Sequence, residues 1–190
     1  MGNGSAAAAT GTIESTLAQI AGLVETRPDL ALTQAQALLA RTGGLPQAEL
    51  LACQALRRLD RPEDALPRLA ALGRTYPRIP AVLWESAQAA EAAGDTAQAI
   101  AALEALTRQQ PSVAGGWFML ARLLRTVGRE TDAWRADLSG IHASSRDRDL
   151  LDAAIAMNEA RLDDAEAILV ARLDRPPVDF AQQAAGGAVI

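Results

Sequence analysis

Residues 94–133 read GDTAQAIAALEALTRQQPSVAGGWFMLARLLRTVGRETDA, and within that stretch Gly94 returns as Gly128 and Ala99 as Ala133. Each return takes thirty-four residues, and the same step leads back from Ala99 to Ala65, from Pro111 to Pro77 and from Gly94 to Asp60. Self-similarity at this period marks an array of helix–turn–helix units, a solenoid in which each unit covers its apolar face only with its neighbours. Such an array is a scaffold for binding. It says how a partner is met, not which partner.

Composition agrees with an all-α fold. Of 190 residues, 49% are apolar but only 3% aromatic, so the core must be built from Ala and Leu on closely approaching helices. The charge balance of 18 basic against 23 acidic residues argues against a nucleic-acid partner, which calls for a basic excess or stripe. Every basic residue other than His142 is Arg. Either bidentate anion recognition or GC-rich coding accounts for this, and the second fits the abundance of Ala, Gly and Pro and a bacterial source. Cys53 is the single cysteine, set among Leu50, Leu51 and Ala52, and reads as a small buried filler outside any disulfide framework.

Outward from the quoted stretch, proline and glycine divide the chain into helix pairs. The expected helices are Ile13–Thr26 with Asp29–Arg41, Pro46–Leu59 with Pro62–Thr75, Pro80–Ala93 with Thr96–Gln109, and Ala114–Val127 with Glu130–Ala143. A fifth pair, Asp147–Glu159 with Leu162–Leu173, falls two residues short: Ala165 and Pro177 keep their mutual spacing, and the step changes at the connection 144–147. Residues 1–11, small and polar, read as a disordered tail. The solenoid spans 12–177 in units of about 12–44, 45–77, 78–111, 112–145 and 146–177, and 178–190 open a further unit without finishing it.

These residues resemble the tetratricopeptide repeat family, whose pattern the fourth unit follows through Trp117, Leu120, Ala121, Leu124, Gly128 and Ala133, with Ser145 in place of the proline. Leu83, Ala87, Gly94, Ala99 and Pro111 carry the third unit, with weaker Ser86 and Ala90. In the second, Glu49 replaces a bulky residue and Asp60 the glycine, while Leu56, Ala65 and Pro77 fit. The resemblance implies an all-α right-handed superhelix of about five pairs, whose first helices line a concave surface. It places there Leu50, Gln54, Arg57 and Arg58, then Trp84, Gln88 and Glu91, then Phe118, Arg122 and Arg125. On that basis a groove holds an extended or helical protein segment by Trp84 and Phe118, one above the other, with Arg122 and Arg125 pairing its acidic groups. An alternative is that both rings pack between neighbouring first helices and the arginines form a solvated face. Trp117 and Trp134 read as structural under either. A carboxylate clamp of the kind that grips chaperone tails fits poorly, because there is no Lys and Gln54 and Gln88 stand where Asn is wanted.

No cofactor, metal or catalytic site is expected. Gly43-Gly44, Gly115-Gly116 and Gly186-Gly187 lack the context of a phosphate loop, His142 is the single histidine, and Asp163-Asp164 and Glu130 with Asp132 suit helix starts. The opening lacks the pattern of a secretory signal, and Ala6 stands where myristoylation needs Ser or Thr. No apolar run approaches the roughly 20 residues of a membrane span, so a cytoplasmic protein with no membrane partner is expected. The stretches Ser145-Arg146-Asp147-Arg148-Asp149-Leu150 and Arg161-Leu162-Asp163-Asp164-Ala165-Glu166 also resemble the N-terminal repeat arm of bacterial sulfotransferases, without the donor-binding loop. That resemblance implies an accessory arm that positions a substrate or mediates dimerisation. The apolar Val178, Phe180, Val189 and Ile190 in the unfinished unit point instead to a homo-oligomer.

Overall fold

A computed structural model describes residues 3–144 and 148–173. Among the described residues it contains ten helices and no strand. They are α1 (Asn3–Val24), α2 (Pro28–Thr42), α3 (Pro46–Arg58), α4 (Pro62–Thr75), α5 (Pro80–Ala92), α6 (Thr96–Gln109), α7 (Ala114–Thr126), α8 (Glu130–Ser144), α9 (Arg148–Asn158) and α10 (Leu162–Leu173). Prolines 28, 46, 62 and 80 each sit in a first turn, where the missing N–H is one that the helix leaves unbonded anyway. The second helices α2, α4, α6 and α8 start in an unbroken thirty-four-residue step.

Two boundaries differ from expectation. The first helix begins at Asn3 rather than Ile13, so it takes in Ala6–Ala9, a run read as tail for its small residues. Alanine is the strongest helix former, and that propensity continues the helix backwards where no proline stops it. At the other end α9 is two residues shorter than α3, α5 and α7. Its buried Ala153 and Ala156 lie thirty-two residues after Ala121 and Leu124, so the contraction occurs before Ala153. Residues 145–147, and the unfinished unit after Leu173 with Phe180, lie outside the described residues.

One turn recurs at four of the five intra-pair junctions. Asp60, Gly94, Gly128 and Ala160 adopt left-handed backbone, with φ of 58°, 78°, 74° and 58°. In each, the following N–H (Arg61, Asp95, Arg129, Arg161) reaches back five residues to the carbonyl of Leu56, Ala90, Leu124 or Ala156. This is the Schellman closure, which satisfies carbonyls left over at a helix end and is easiest for glycine. The residues after them (Arg61, Asp95, Arg129, Arg161) then accept the first helical bond of the next helix, from Ala65, Ala99, Ala133 and Ala165, the bond to Ala65 excepted, since Arg61 accepts from Asp64. Those alanines, joined by Ala31 one step earlier, are all buried.

Each first helix packs on its second helix, and each second helix on the next pair. The buried residues of α1–α8 fall largely into two clusters that meet at α5: Val82 and Ala89 complete the cluster of α1–α4, while Ala87 and Ala90 open that of α6–α8. First helices also approach one another directly, α1 on α3 and α3 on α5, while α5 and α7 meet through the side chains of Trp84, Glu91 and Arg122.

Ala160 and Asp60 hold a backbone conformation that costs L-residues roughly 1–2 kcal/mol. Ala160→Gly is therefore expected to raise stability by about 0.5–1 kcal/mol after the extra freedom of an unfolded glycine is counted, and Gly94→Ala to lower it by about 1 kcal/mol. Urea midpoints of the two variants check both signs.

Candidate functional site

The concave face is built from α3, α5 and α7. Side chains at intervals of three and four residues share one face of a helix, so Gln88, Glu91 and Ala92 line up on α5, and Phe118, Met119 and Arg122 on α7. With Arg57 of α3 they enclose a groove of about 630 Å³. Its floor is Ala92, Met119 and Phe118, whose ring is 41% exposed. Behind that ring lies Gly140 of α8: a Cβ there would stand 2.7 Å from Phe118 Cε1, so only a glycine leaves room for the ring to lie flat on the helix.

Five of the ten residues assigned from sequence thus come together: Arg57, Gln88, Glu91, Phe118 and Arg122. The other five are used elsewhere or stand apart from the groove, Leu50 being half-buried against the first cluster. Trp84 is half-buried against the second cluster, and its Cη2 lies 3.6 Å from where a Cβ of Gly115 would be. It wedges α5 against the start of α7, which is the packing alternative, while Phe118 rests on α8 instead of beneath it. Arg58 turns back to the turn after α1, with Nη2 2.5 Å from Glu25. Arg125 pairs with Asp137 of α8. Gln54 is half-buried on α3 and does not line the groove.

The arginines expected to capture a partner's carboxylates already have carboxylates. Arg122 reaches Glu91 at 2.5 Å across the groove, from α7 to α5. Arg57 grips Glu85 of α5 with both arms of its fork, Nε to Oε1 at 2.6 Å and Nη2 to Oε2 at 3.2 Å. Glu85 is only 1% exposed and was not assigned any part from sequence. Its signal was its register: it lies three residues after buried Val82 and four before buried Ala89, on the inward face of α5. Burial pushes its carboxyl above the usual carboxylate range, against the opposing pull of Arg57.

Trp117 is half-buried, as a structural role requires, and donates its indole N–H to the Pro111 carbonyl at 2.8 Å. Trp134 is half-buried on α8. Cys53 is fully buried, and burial pushes its thiol up to about 12, so it stays protonated and is a poor nucleophile near neutral pH.

The tetratricopeptide repeat family model matches residues 80–123, the third helix pair and the start of the fourth. No curated protein matches the sequence. Among solved structures, the chain is similar to MamA (residue 41 to its end) from Desulfovibrio magneticus RS-1, at 14% identity over 70% of this chain and 75% of that one, with a TM-score of 0.63. It is also similar to a thermophilic tetratricopeptide repeat protein, TTC0263, of Thermus thermophilus, at 19% identity over 90% and 95% of the two chains, with a TM-score of 0.61. The fold is that of a tetratricopeptide repeat solenoid.

Removing the Glu85 carboxylate strands the Arg57 charge, so Glu85→Ala is expected to cost about 3 kcal/mol. Because folding raises the Glu85 pKa, the folded chain holds that proton more tightly than the unfolded one. Its contribution is fully present below the ordinary carboxylate pKa and is lost as pH rises through the raised value. The stability of wild type relative to Glu85→Gln should therefore fall as pH rises above the ordinary carboxylate pKa and through the raised one. A difference that grows with pH in urea titrations would contradict this.

Proposed function

We propose that the chain is a noncatalytic interaction module that holds a peptide or protein segment in the concave groove between α3, α5 and α7. What carries this reading is the groove itself: an exposed ring backed by a glycine, beside Met119 and Ala92, at the centre of three consecutive first helices. An exposed aromatic surrounded by polar side chains is the usual form of a binding anchor. Gln88 supplies an amide that can meet a partner's backbone, while Arg57 and Arg122, already paired, frame the groove and keep its walls in place.

A second reading, self-association at the C-terminal end, is favoured by Leu162, Val170 and Leu173 of α10, exposed at 64%, 49% and 83%. The accessory arm of a sulfotransferase rests on the sequence of 145–150 and 161–166. In the structure Arg161 pairs with Glu159 and Asp164, a local brace at the start of α10. A bacterial and cytoplasmic setting is inferred from the exclusive use of Arg and from the lone Cys53.

Phe118→Ala removes the anchor from an exposed position. It is expected to leave the far-ultraviolet circular dichroism unchanged and to abolish retention of whatever the wild-type chain captures from lysate. Equal retention by both baits would refute the groove reading. Sedimentation across a concentration series tests the second reading: Leu173→Glu should lower the association constant, and a wild-type chain that stays monomeric throughout would remove it.

A further inference from the structure

A second surface runs along the edge where each helix pair connects to the next. Its segments are 41–47, 74–81 and 108–115, and none of them contains Asp or Glu. They carry Arg41, Arg74, Arg78 and Arg108, all exposed. Among the described residues none of these four has a carboxylate partner, whereas the arginines of the concave face and of the opposite edge are paired throughout the second to fifth units. Arg41, Arg74 and Arg108 recur at steps of thirty-three and thirty-four residues in the last turns of α2, α4 and α6, and His142 continues the column in α8. Helix ends favour cations there. That does not account for Arg78, which lies in the α4–α5 connection, nor for the concentration of unpaired positive charge on one edge of a chain of net charge −5.

The same edge is pitted at every junction between units from the first helix pair to the fourth. A cavity of about 260 Å³ lies among Leu39, Leu45, Pro46, Leu72 and Tyr76, and the Glu49 carboxylate at its wall is already held by Arg68. The next, of about 500 Å³, lies among Arg74, Tyr76, Ile79, Leu83 and Gln109. A third, of about 570 Å³, has Pro111, Trp117 and Ala143 as its apolar wall, with His142 and three serines beside them. Hollows with apolar walls thus accompany guanidinium groups at each junction, Arg41 at the first, Arg74 and Arg78 at the second and Arg108 at the third. Tyr76 forms a wall of two hollows and is itself exposed.

We propose that this edge is a second binding surface, distinct from the concave groove, for an acidic segment studded with bulky apolar side chains. Its carboxylates meet Arg41, Arg74, Arg78 and Arg108, and its apolar side chains enter the hollows between them. Charge complementarity selects an acidic partner, because a guanidinium pairs with a carboxylate through two parallel hydrogen bonds. The hollows select against a bare polyanion such as nucleic acid, which has phosphates to offer but no side chain to bury.

A random glutamate–tyrosine copolymer, fluorescently labelled, provides both chemistries, with polyglutamate and single-stranded DNA as controls. The copolymer is expected to bind wild type with an affinity that falls as salt rises. The double variant Arg74→Gln/Arg108→Gln should lose roughly tenfold or more, and Arg135→Gln, an exposed arginine of α8 outside both surfaces, should bind as wild type does. Circular dichroism establishes that both variants are folded. The proposal is overturned if the copolymer does not bind or if the double variant retains full affinity. It is equally overturned if polyglutamate or single-stranded DNA binds as tightly as the copolymer.

Discussion

The close approach of the two helices within each pair is the constraint on which the array depends. Cys53, Ala87 and Ala121 recur at thirty-four-residue steps on the first helices, and Ala65, Ala99 and Ala133 at the same step on the second; none has exposed surface. The Cys53 sulfur lies 3.9 Å from the Ala65 carbonyl, so little more than backbone separates α3 from α4. Helices brought this near bury their remaining leucines without rings to fill space. A larger side chain at any of these positions would force the pair apart, and well-packed interiors respond to single methylene groups.

Where the apolar pattern lapses, paired charges take over the joining of helices. Glu49 stands where a bulky apolar residue is wanted, and Arg68 of α4 holds it with a two-armed contact at 2.6 and 3.0 Å. Arg57 and Glu85 do the same between α3 and α5. The planar fork of Arg suits these contacts and the point charge of Lys does not, so the absence of Lys has a structural use whatever its coding origin. These are bonds of specificity more than of net strength, since each charge gives up solvation to make them.

Most of the fold was legible because its punctuation is chemical. Proline in a first turn and glycine in a left-handed turn act locally, so the bounds of α3, α4 and α6 follow from single residues. The start of α1 did not, since alanine at a terminus carries high helix propensity but no stop or start signal. At the groove, Gln88, Glu91, Phe118 and Arg122 follow from repeat register alone. Trp84 does not: whether a ring on a first helix faces outward or wedges toward its neighbour depends on the glycine it meets, Gly115 for Trp84 and Gly140 for Phe118. Nor does a charge look buried in sequence, so the place of Glu85 emerges only from its neighbours Val82 and Ala89 being inside. The arginine edge stayed hidden because it joins loops thirty-four residues apart, each too short to stand out.

The spacing of the first helices has a mechanical consequence. From α1 to α5 their backbones come close, between α5 and α7 they meet through Trp84, Glu91 and Arg122, and the packing of each second helix on the next unit thins toward α9. An array loaded in this way resembles a beam that is stiff at one end and compliant at the other. Just before the α5–α7 step the first cluster of core residues gives way to the second. That step is also the mouth of the concave groove, so a change in the curvature of the superhelix translates into a change in the width of the groove.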